Sequence, residues 1–217
     1  MGGVRALVLI TDGRFDYLAE CVRSLRENVD LGWFDRRVCV FDAAGGQRLE
    51  LPGFDVIHHE KRSGLAAAVR SGWEAVNGAE FVFHVEEDFT FDEPVDLEGM
   101  SNVLYRRQHV AQMCLLRGPW SPEEHAAGGI VEMHPADYRQ RSDLYGRYWL
   151  EHDRLFSLNP CLIPGHIVDR GWPDTNEAGF TEQLLCHGYR FAYWGDGKPQ
   201  VTHIGVEGGM GSPGWKP

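Results

Sequence analysis

Short, continuous apolar runs alternate with longer amphipathic stretches along the first half of the chain. Runs of this length and composition are typical of strands that are buried on both faces of a sheet. They predict strands at residues 6–11, 38–41, 54–59, 80–85 and 110–116.

The amphipathic stretches between these runs predict helices. The first has an apolar stripe at helical spacing, made up of Phe15, Leu18, Val22, Leu25 and Val29. The second is predicted to begin at Ser63, which can cap it. Its buried stripe comprises Leu65, Val69, Trp73 and Val76. A third helix is predicted at 96–107. Strands that alternate with helices indicate an α/β fold, with a largely parallel sheet covered on both faces.

The second half of the chain is less regular. Residues 117–153 mix Pro, Gly, His, Trp and Tyr without clear periodicity, and we expect a binding loop or a lid there. A helix followed by a strand is predicted within 176–193, and a short strand within 201–205. The Gly- and Pro-rich end of the chain is expected to be mobile.

Polar residues follow three of the predicted strands. Thr11 and Asp12 end the first strand, Asp42 ends the second, and residues 86–88 (Glu-Glu-Asp) end the fourth. Ligands of open α/β sheets bind beyond the carboxyl ends of the strands. We therefore expect these side chains to meet at one rim of the sheet.

Three consecutive acids need compensation, because like charges repel and a carboxylate taken out of water is costly. Mg²⁺ and Mn²⁺ prefer carboxylate oxygens, and a bound diphosphate can complete their coordination shell. Such a cation also stabilises the negative charge on a departing phosphate. The simpler alternative is an acidic turn exposed to solvent.

Composition narrows the classes of partner. The formal net charge of −11 disfavours nucleic acid and anionic membranes as partners. No apolar run approaches the roughly 20 residues of a membrane span. The five cysteines are scattered, without Cys-x-x-Cys spacing, which favours reduced thiols in a cytoplasmic protein over a zinc site or a disulfide framework.

Four parts of the chain carry a resemblance to a known family. They are LVLITDGRFDYLAECVRSL (7–25), Asp42, RSGLAAAVRSGWEAVNGAEFVFHVEEDF (62–89), and FTEQLLCHGYRFAYW followed by VTHIG. In order and spacing they are similar to the GT-A fold nucleotide-sugar glycosyltransferases, nearest the family 2-like group. The resemblance implies a GT-A (Rossmann-like) three-layer αβα sandwich with a mostly parallel central sheet.

The resemblance also implies one domain over residues 1–217. Its nucleotide-binding half would be 1–116, its acceptor-binding half 117–205, and its flexible tail 206–217.

The resemblance assigns roles at the nucleotide end of the site. Thr11 and Asp12 would lie against the nucleobase and ribose with Arg14 nearby, and Asp42 would contact the base or the ribose. Glu87 would contact the ribose or a metal-bound water. Glu86 would contact the residues that bind the ligand without touching the ligand itself.

At the reacting end, the resemblance makes Asp88 the main ligand of Mn²⁺ or Mg²⁺ and His203 a second ligand. Glu182 matches the acid that removes the proton of the acceptor hydroxyl in inverting members. This chain departs from the family, which usually has Asp where Glu86 and Glu87 stand. The familiar Glu-Asp pair near the base is replaced by Thr181-Glu182, so Glu177 is an alternative base.

The irregular segment offers further candidates. Its aromatic residues can stack on sugar rings or pin the segment to the core; they are Trp120, Tyr138, Tyr145, Tyr148 and Trp149. Arg139, Arg141 and Arg147 can meet a diphosphate or pair with surface acids.

The resemblance thus implies a metal-dependent transfer of a sugar, with inversion, from a nucleotide-diphosphate sugar to a hydroxyl of a glycan, a protein or a small molecule. A nucleotidyltransferase of similar fold is an alternative, although that class typically has a Gly-rich, basic loop after its first strand. A catalytically inactive nucleotide- or sugar-binding protein is another, because the acidic triplet is altered.

Overall fold

The computed structural model describes residues 3–43, 47–120, 131, 134–173 and 176–205. The strands in that part of the chain are β1 Arg5–Thr11, β2 Arg36–Phe41, β3 Asp55–His58, β4 Phe81–Glu86, β5 Phe89–Phe91, β6 Val110–Cys114, β7 Arg117–Gly118, β8 Arg139–Ser142, β9 Tyr148–His152, β10 Cys161–Pro164, β11 Arg190–Trp194 and β12 Val201–His203. The helices are α1 Phe15–Asn28, α2 Leu65–Ala75, α3 Leu97–Arg106, α4 Gly165–Val168 and α5 Glu177–Cys186, with 3₁₀ turns at Leu31–Trp33 and Pro135–Asp137.

Nine of these strands form one sheet, in the order β3-β2-β1-β4-β10-β6-β11-β9-β8. The pairs β3–β2, β2–β1, β1–β4 and β6–β11 are parallel. The strand β10 is antiparallel to both of its neighbours, β4 and β6, and β9 is antiparallel to β11. Because β8 is in turn antiparallel to β9, seven of the nine strands run in the same direction. The central sheet is in this sense mostly parallel, which confirms the predicted fold class.

Helices cover both faces of the sheet because successive strand residues point to opposite sides. On β1, Val8 and Ile10 belong to the core under α2 and α5, whereas Leu7 and Leu9 belong to the core under α1 and α3. Each fully buried aliphatic side chain of this kind contributes about 1.5–3 kcal/mol to the stability of the fold. The result is the predicted three-layer sandwich.

Helix α2 packs very close to the sheet. A Cβ atom added at Gly72 would lie 2.6 Å from Cγ1 of Val8, so a glycine is needed at the contact. This close approach fixes the position of the turn that precedes α2, and that turn borders the candidate site.

A second, three-stranded sheet has the order β5-β12-β7. The strand β12 is antiparallel to β5 and parallel to β7, which places His203 opposite Phe89 and Thr202 opposite Gly118. Since β5 begins at Phe89, directly after Asp88, this small sheet brings the late histidine to the acidic triplet.

Two local predictions are wrong. Ser63 does not cap α2; the residue before the helix is Gly64 with φ of +87°, and the Ser63 hydroxyl donates instead to the carbonyl of Lys61. The segment 117–153 is also more regular than predicted, since β7, β8 and β9 lie within it. All four residues of β8 are exposed, so that strand has no apolar residue to reveal it.

The predicted mobile tail lies outside the described residues. None of the helices that the structure describes is long and apolar enough to cross a membrane.

Candidate functional site

The ends of β1 and β4 lie side by side. Ile10 of β1 is paired with Glu86 of β4, and the amide of Glu87 donates to the carbonyl of Ile10 at 3.0 Å. The residues that follow each strand therefore lie together at one rim, as predicted from the parallel sheet. Asp12, Glu87 and Asp88 are all less than a tenth exposed there.

Arg14 compensates this concentration of acids. Its Nε donates to Oδ1 of Asp12 at 2.9 Å and to Oε1 of Glu87 at 2.7 Å, and its Nη2 donates to Oδ2 of Asp88 at 3.1 Å. One guanidinium thus contacts three carboxylates. The question that the triplet raises, how such acids are tolerated at the end of a buried strand, is answered in part by this arginine from the β1–α1 turn.

Asp12 and Glu87 form a coupled pair with opposite pKa shifts. Burial alone would raise the pKa of Asp12, but hydrogen bonds with Glu87, Arg62 and Arg14 outweigh it and hold that pKa at about 2. Burial raises the pKa of Glu87 to about 8, assisted by its contact with Asp12 and opposed by the hydroxyl of Thr11, which donates to Oε2 of Glu87. When the pair holds a proton, Glu87 rather than Asp12 therefore carries it.

Asp88 lies between two cationic or donor groups. Its Oδ2 is 3.1 Å from Nη2 of Arg14 and 3.4 Å from Nε2 of His203. Burial would raise the pKa of Asp88, but the hydrogen bonds from His203 and Arg14, together with the charge of Arg14, keep that pKa below its ordinary value. Its Oδ1 is enclosed and has no hydrogen-bond partner among the described residues.

His203 is held in one orientation. Its ring stacks on Phe89, with the centroids 4.7 Å apart, and an N–H of Arg117 meets its Nδ1. An arginine can only donate, so Nδ1 is the acceptor and Nε2 of the neutral ring carries the proton that faces Asp88. The second-sheet register therefore fixes both the position and the tautomer of this residue.

Arg117 is a site residue that the sequence prediction missed. It is 5% exposed, and its guanidinium lies over the ring of Trp120 at 4.5 Å. The charges that act on it include those of Glu177, Asp88 and Glu86. A signal was present, since Arg117 follows the apolar run of β6 just as the acids follow β4.

The other arginines of that segment lie elsewhere. Arg141 pairs with Glu151 at 3.0 Å and Arg147 with Asp143 at 2.7 Å. Arg139 belongs to the exposed strand β8. Arg141 and Arg147 therefore pair with acids of the protein, although Glu151 is buried and does not lie at the surface.

The aromatic residues of the segment divide similarly. Tyr138 and Trp149 are buried in the two cores, and Tyr145 and Tyr148 are exposed. Trp120 is the member that contacts a site residue, through its ring against Arg117. We therefore regard Trp120 as the aromatic candidate for contact with a ligand.

Glu86 is enclosed on the α2 and α5 side of the sheet. Burial raises its pKa well above the ordinary value, and the nearby charges of Asp88 and Glu177 raise it further. Its Oε1 has no hydrogen-bond partner among the described residues. An enclosed oxygen without a partner is costly, so this atom is a candidate acceptor for a ligand hydroxyl.

Asp42 is fully buried and organises the turn before α2. Its Oδ1 accepts from the amide of Ser63 and contacts Nδ1 of His59, and its Oδ2 accepts from the amide of Gly64, each at 2.7 Å. Both oxygens thus have partners. The predicted contact with a base or ribose stays a prediction, while the structural role of Asp42 is clear.

The two candidate bases occupy different faces of α5. Glu177 begins the helix, and its Oε1 accepts from the amide of Leu158 at 2.6 Å. Burial raises the pKa of Glu177, against that hydrogen bond and the charge of Arg117. Glu182 is exposed. At 3.6 residues per turn, five positions rotate the side chain by about 140°, so both residues cannot face the rim.

The sequence predicts Mn²⁺ or Mg²⁺ at Asp88 and His203, and these two residues do converge. However, Oδ2 of Asp88 already accepts from Arg14, and Nε2 of His203 carries a proton. No group of three or more His, Cys, Asp or Glu residues in the described part of the chain has an arrangement that could hold a metal ion. As arranged, these residues do not fit a resident divalent cation, because a guanidinium fills the space between the carboxylates.

Two solved structures with similar folds come from glycosyltransferase studies. The crystal structure of GalNAc-T7 with UDP, GalNAc and Mn²⁺ has a TM-score of 0.62 and 9% sequence identity, over 93% of this chain and 44% of that one. The mannosyltransferase PcManGT from Pyrobaculum calidifontis, in complex with GDP-Man and Mn²⁺, has a TM-score of 0.61 and 12% identity, over 96% of this chain and 59% of that one.

The chain thus spans about half the length of these two structures. At such low identity the likeness concerns the fold. No family model and no curated protein matches the sequence.

Proposed function

We propose that this protein, which has the GT-A fold, is a glycosyltransferase that moves a sugar from a nucleotide-diphosphate sugar to an acceptor hydroxyl. The observation that carries the proposal is the convergence of Asp12, Arg14, Asp88 and His203 on one rim of the sheet. These residues come from three separate parts of the sequence. Ligands of open α/β sheets bind at such a rim.

The rim residues divide into two groups in this proposal. Thr11, Asp12 and Glu87 meet the ribose and base, and Asp42 supports them by fixing the turn before α2. Glu86 accepts from a hydroxyl of the sugar or ribose through its enclosed oxygen.

Asp88, His203 and Arg117 lie at the diphosphate end, with Arg14 between the two groups. Arg117 supplies positive charge where the leaving diphosphate gains negative charge, which lowers the barrier to bond breaking.

Glu177 is the base in this proposal, in preference to Glu182. The acceptor hydroxyl attacks the anomeric carbon from the face opposite the diphosphate. The acceptor oxygen forms the new glycosidic bond to the anomeric carbon. At the same time the bond from that carbon to the diphosphate oxygen breaks, and its electron pair leaves with the diphosphate. Because attack comes from the opposite face, the configuration of the anomeric carbon is inverted. The acceptor proton passes to the Glu177 carboxylate, whose burial raises its pKa and so makes it a stronger proton acceptor than an exposed glutamate.

The first test is a panel of UDP, GDP, CDP and ADP in the presence of manganese, with thermal unfolding as the readout. We expect one nucleotide to stabilise the protein, by about 2.7 kcal/mol when it is present at 100 times its dissociation constant. The variant Asp88→Ala should lose this shift. The matched control Asp55→Ala, which changes an exposed acid at the start of β3, should keep it.

The second test follows turnover with sugar derivatives of the nucleotide that binds. Release of the free nucleoside diphosphate supports a transferase. Tight binding of both donor and nucleotide without release would instead favour an inactive binding protein. Failure of all four nucleotides to bind would overturn the proposal.

The acceptor and the cellular location stay predictions. A hydroxyl on a glycan, a protein or a small molecule fits the proposed chemistry equally well. A cytoplasmic location is supported by the five cysteines, which are all free thiols in the structure.

A further inference from the structure

The most unusual feature of the rim is the position of Arg14. Its guanidinium contacts carboxylates that belong to two strand ends, those of Asp12, Glu87 and Asp88, at 2.7 to 3.1 Å. A divalent cation bound by this rim would occupy the same space, because it would also have to lie among these oxygens. The arginine and a cation therefore exclude one another as long as Arg14 keeps these contacts.

Arg14 keeps hydrogen-bonding capacity beyond its contacts with the three acids. A guanidinium has five N–H groups, and the contacts above use Nε and Nη2, while Nη1 takes part in no hydrogen bond with the residues that the structure describes. The side chain is 23% exposed, and it is steadied by the ring of Tyr17, 4.9 Å from its Cζ. It can therefore hold the acids on one side and accept an anion on the other.

Two further arginines flank the same rim. Arg62, from the turn before α2, donates to Oδ2 of Asp12, and Arg117 holds His203. Arginine binds phosphate oxygens through two parallel N–H groups and stays charged at all physiological pH values. Three such groups around one ligand-binding rim are typical of phosphate recognition.

We propose that Arg14 takes the place of a divalent cation in this protein: it bridges the rim carboxylates to the diphosphate of the donor, so that a nucleoside diphosphate binds without metal. The inference rests on the proposed function, since it concerns how the same donor is held. It differs from the cation-dependent binding that the sequence resemblance implies.

The state of His203 supports this assignment independently. A histidine that binds a metal through Nε2 must release the proton from that nitrogen and carry its proton on Nδ1. In this structure Nδ1 faces an N–H of Arg117. A proton on Nδ1 would therefore place two hydrogen-bond donors against each other, and they would repel. Metal binding by His203 would thus require Arg117 to leave, in addition to Arg14.

The experiment measures the binding of UDP and GDP to the full chain by calorimetry, once in EDTA and once with excess MnCl₂. We expect the dissociation constant of the nucleotide that binds to differ by less than about threefold between the two conditions. Manganese electron paramagnetic resonance of the protein alone should show the ion free in solution. Neither readout depends on turnover.

Variants test whether Arg14 is the responsible group. Arg14→Ala should weaken nucleotide binding in EDTA by about tenfold to a hundredfold, the usual effect of losing a charged hydrogen-bonding partner. It should also create manganese binding, because three carboxylates lose their counter-ion. Arg14→Lys keeps the charge and should retain the fold if the alanine variant does not. The matched control is Arg23→Ala, which removes an exposed arginine of α1 that pairs with Glu20 and Glu27.

The outcomes separate this inference from the proposed function. Equal binding in EDTA and manganese, with a loss in Arg14→Ala but not in Arg23→Ala, supports both. Binding that requires manganese overturns the role of Arg14 and leaves the glycosyltransferase proposal standing. Absence of nucleotide binding in both conditions overturns the proposed function and the inference with it.

Discussion

At the scale of single residues, Glu177 and Glu182 have the same chemistry and different surroundings. Glu177→Gln should lower kcat by about 10²- to 10⁴-fold, because general-base assistance is lost, and should change the donor dissociation constant by less than about twofold. It should also abolish the fall in rate on the acidic side of the pH profile. Glu182→Gln, on the exposed face of α5, should leave kcat within about twofold. If Glu182→Gln lowers kcat and Glu177→Gln does not, Glu182 is the base.

His84 shows a different consequence of burial. It lies fully buried in β4, neither ring nitrogen has a hydrogen-bond partner among the described residues, and burial lowers its pKa to about 3. Between pH 6.5 and 3 the unfolded chain therefore takes up a proton at this residue that the folded chain does not. Folded-state stability is lost as the pH falls through that window.

His84→Leu should remove this dependence. At pH 7 we expect the variant to be as stable as the wild type or more stable, because two unpartnered polar atoms are gone. At pH 5 the variant's free energy of unfolding should exceed that of the wild type by about 2 kcal/mol more than it does at pH 7. This is the stability that the wild type loses by proton uptake in the unfolded state at about 1.5 pH units below the histidine pKa of the unfolded chain. Urea titrations at both pH values measure the difference. The matched control is His187→Gln, which changes an exposed histidine directly after α5.

The sequence predicted the rim residues because each follows a strand that its apolar run makes visible. Asp12, Asp88 and Arg14 meet as the parallel sheet requires. The same argument applies to Arg117, which follows β6 and contacts His203. The partners of these residues could not be predicted, since the pairing of Arg14 with three acids depends on side-chain geometry across two loops.

At the scale of elements, the turn before α2 depends on a residue from another strand. Asp42, after the end of β2, accepts from the amides of Ser63 and Gly64, whereas the hydroxyl of Ser63 donates to the carbonyl of Lys61. Asp42→Asn should reduce the free energy of unfolding by about 1–3 kcal/mol, because the hydrogen bonds from two amides to the buried side chain of Asp42 are weakened. Ser63→Ala should change it by less than about 0.5 kcal/mol.

Denaturant midpoints with unchanged m-values test this difference. If Asp42→Asn lowers nucleotide affinity without lowering stability, the residue contacts the ligand as the family resemblance implies. If Ser63→Ala is the more destabilising variant, the turn is held locally and the role given to Asp42 is wrong.

Local patterns located elements better than they located element boundaries. The stripe predicted for α1 includes Phe15 and Val29, yet Phe15 is 45% exposed and Val29 follows the last residue of the helix. Both are apolar at the correct spacing, but the ends of a helix leave the core first. The strand β8 escaped prediction for the opposite reason, because an exposed edge strand needs no apolar face.

At the scale of the whole molecule, the sheet joins the two halves of the chain. The strand β10, from the second half, lies between β4 and β6, both from the first. Local periodicity does not determine the order of strands in a sheet. The sequence therefore predicted two halves of one domain, but it did not predict that a strand of the second half is inserted between two strands of the first.

This interlocking predicts one cooperative unfolding transition for the full chain. A fragment of residues 1–116 lacks β10, so β4 and β6 lose the strand that connects them, and we expect the fragment to show no cooperative transition in near-ultraviolet circular dichroism. Mixing it with the fragment 117–217 should restore a native-like signal if both remain soluble. A fragment 1–116 that unfolds cooperatively on its own would show that the halves are independent.

A ribosome delivers the chain in order, and β10 emerges well after β4 and β6 have left the exit tunnel. At about 5–20 residues per second, those two strands wait on the order of seconds with open edges. Open strand edges pair readily with other chains. The yield of soluble protein should therefore respond to slower or cooler synthesis and to chaperones that hold nascent chains, because β10 is not yet available to cover the edges of β4 and β6.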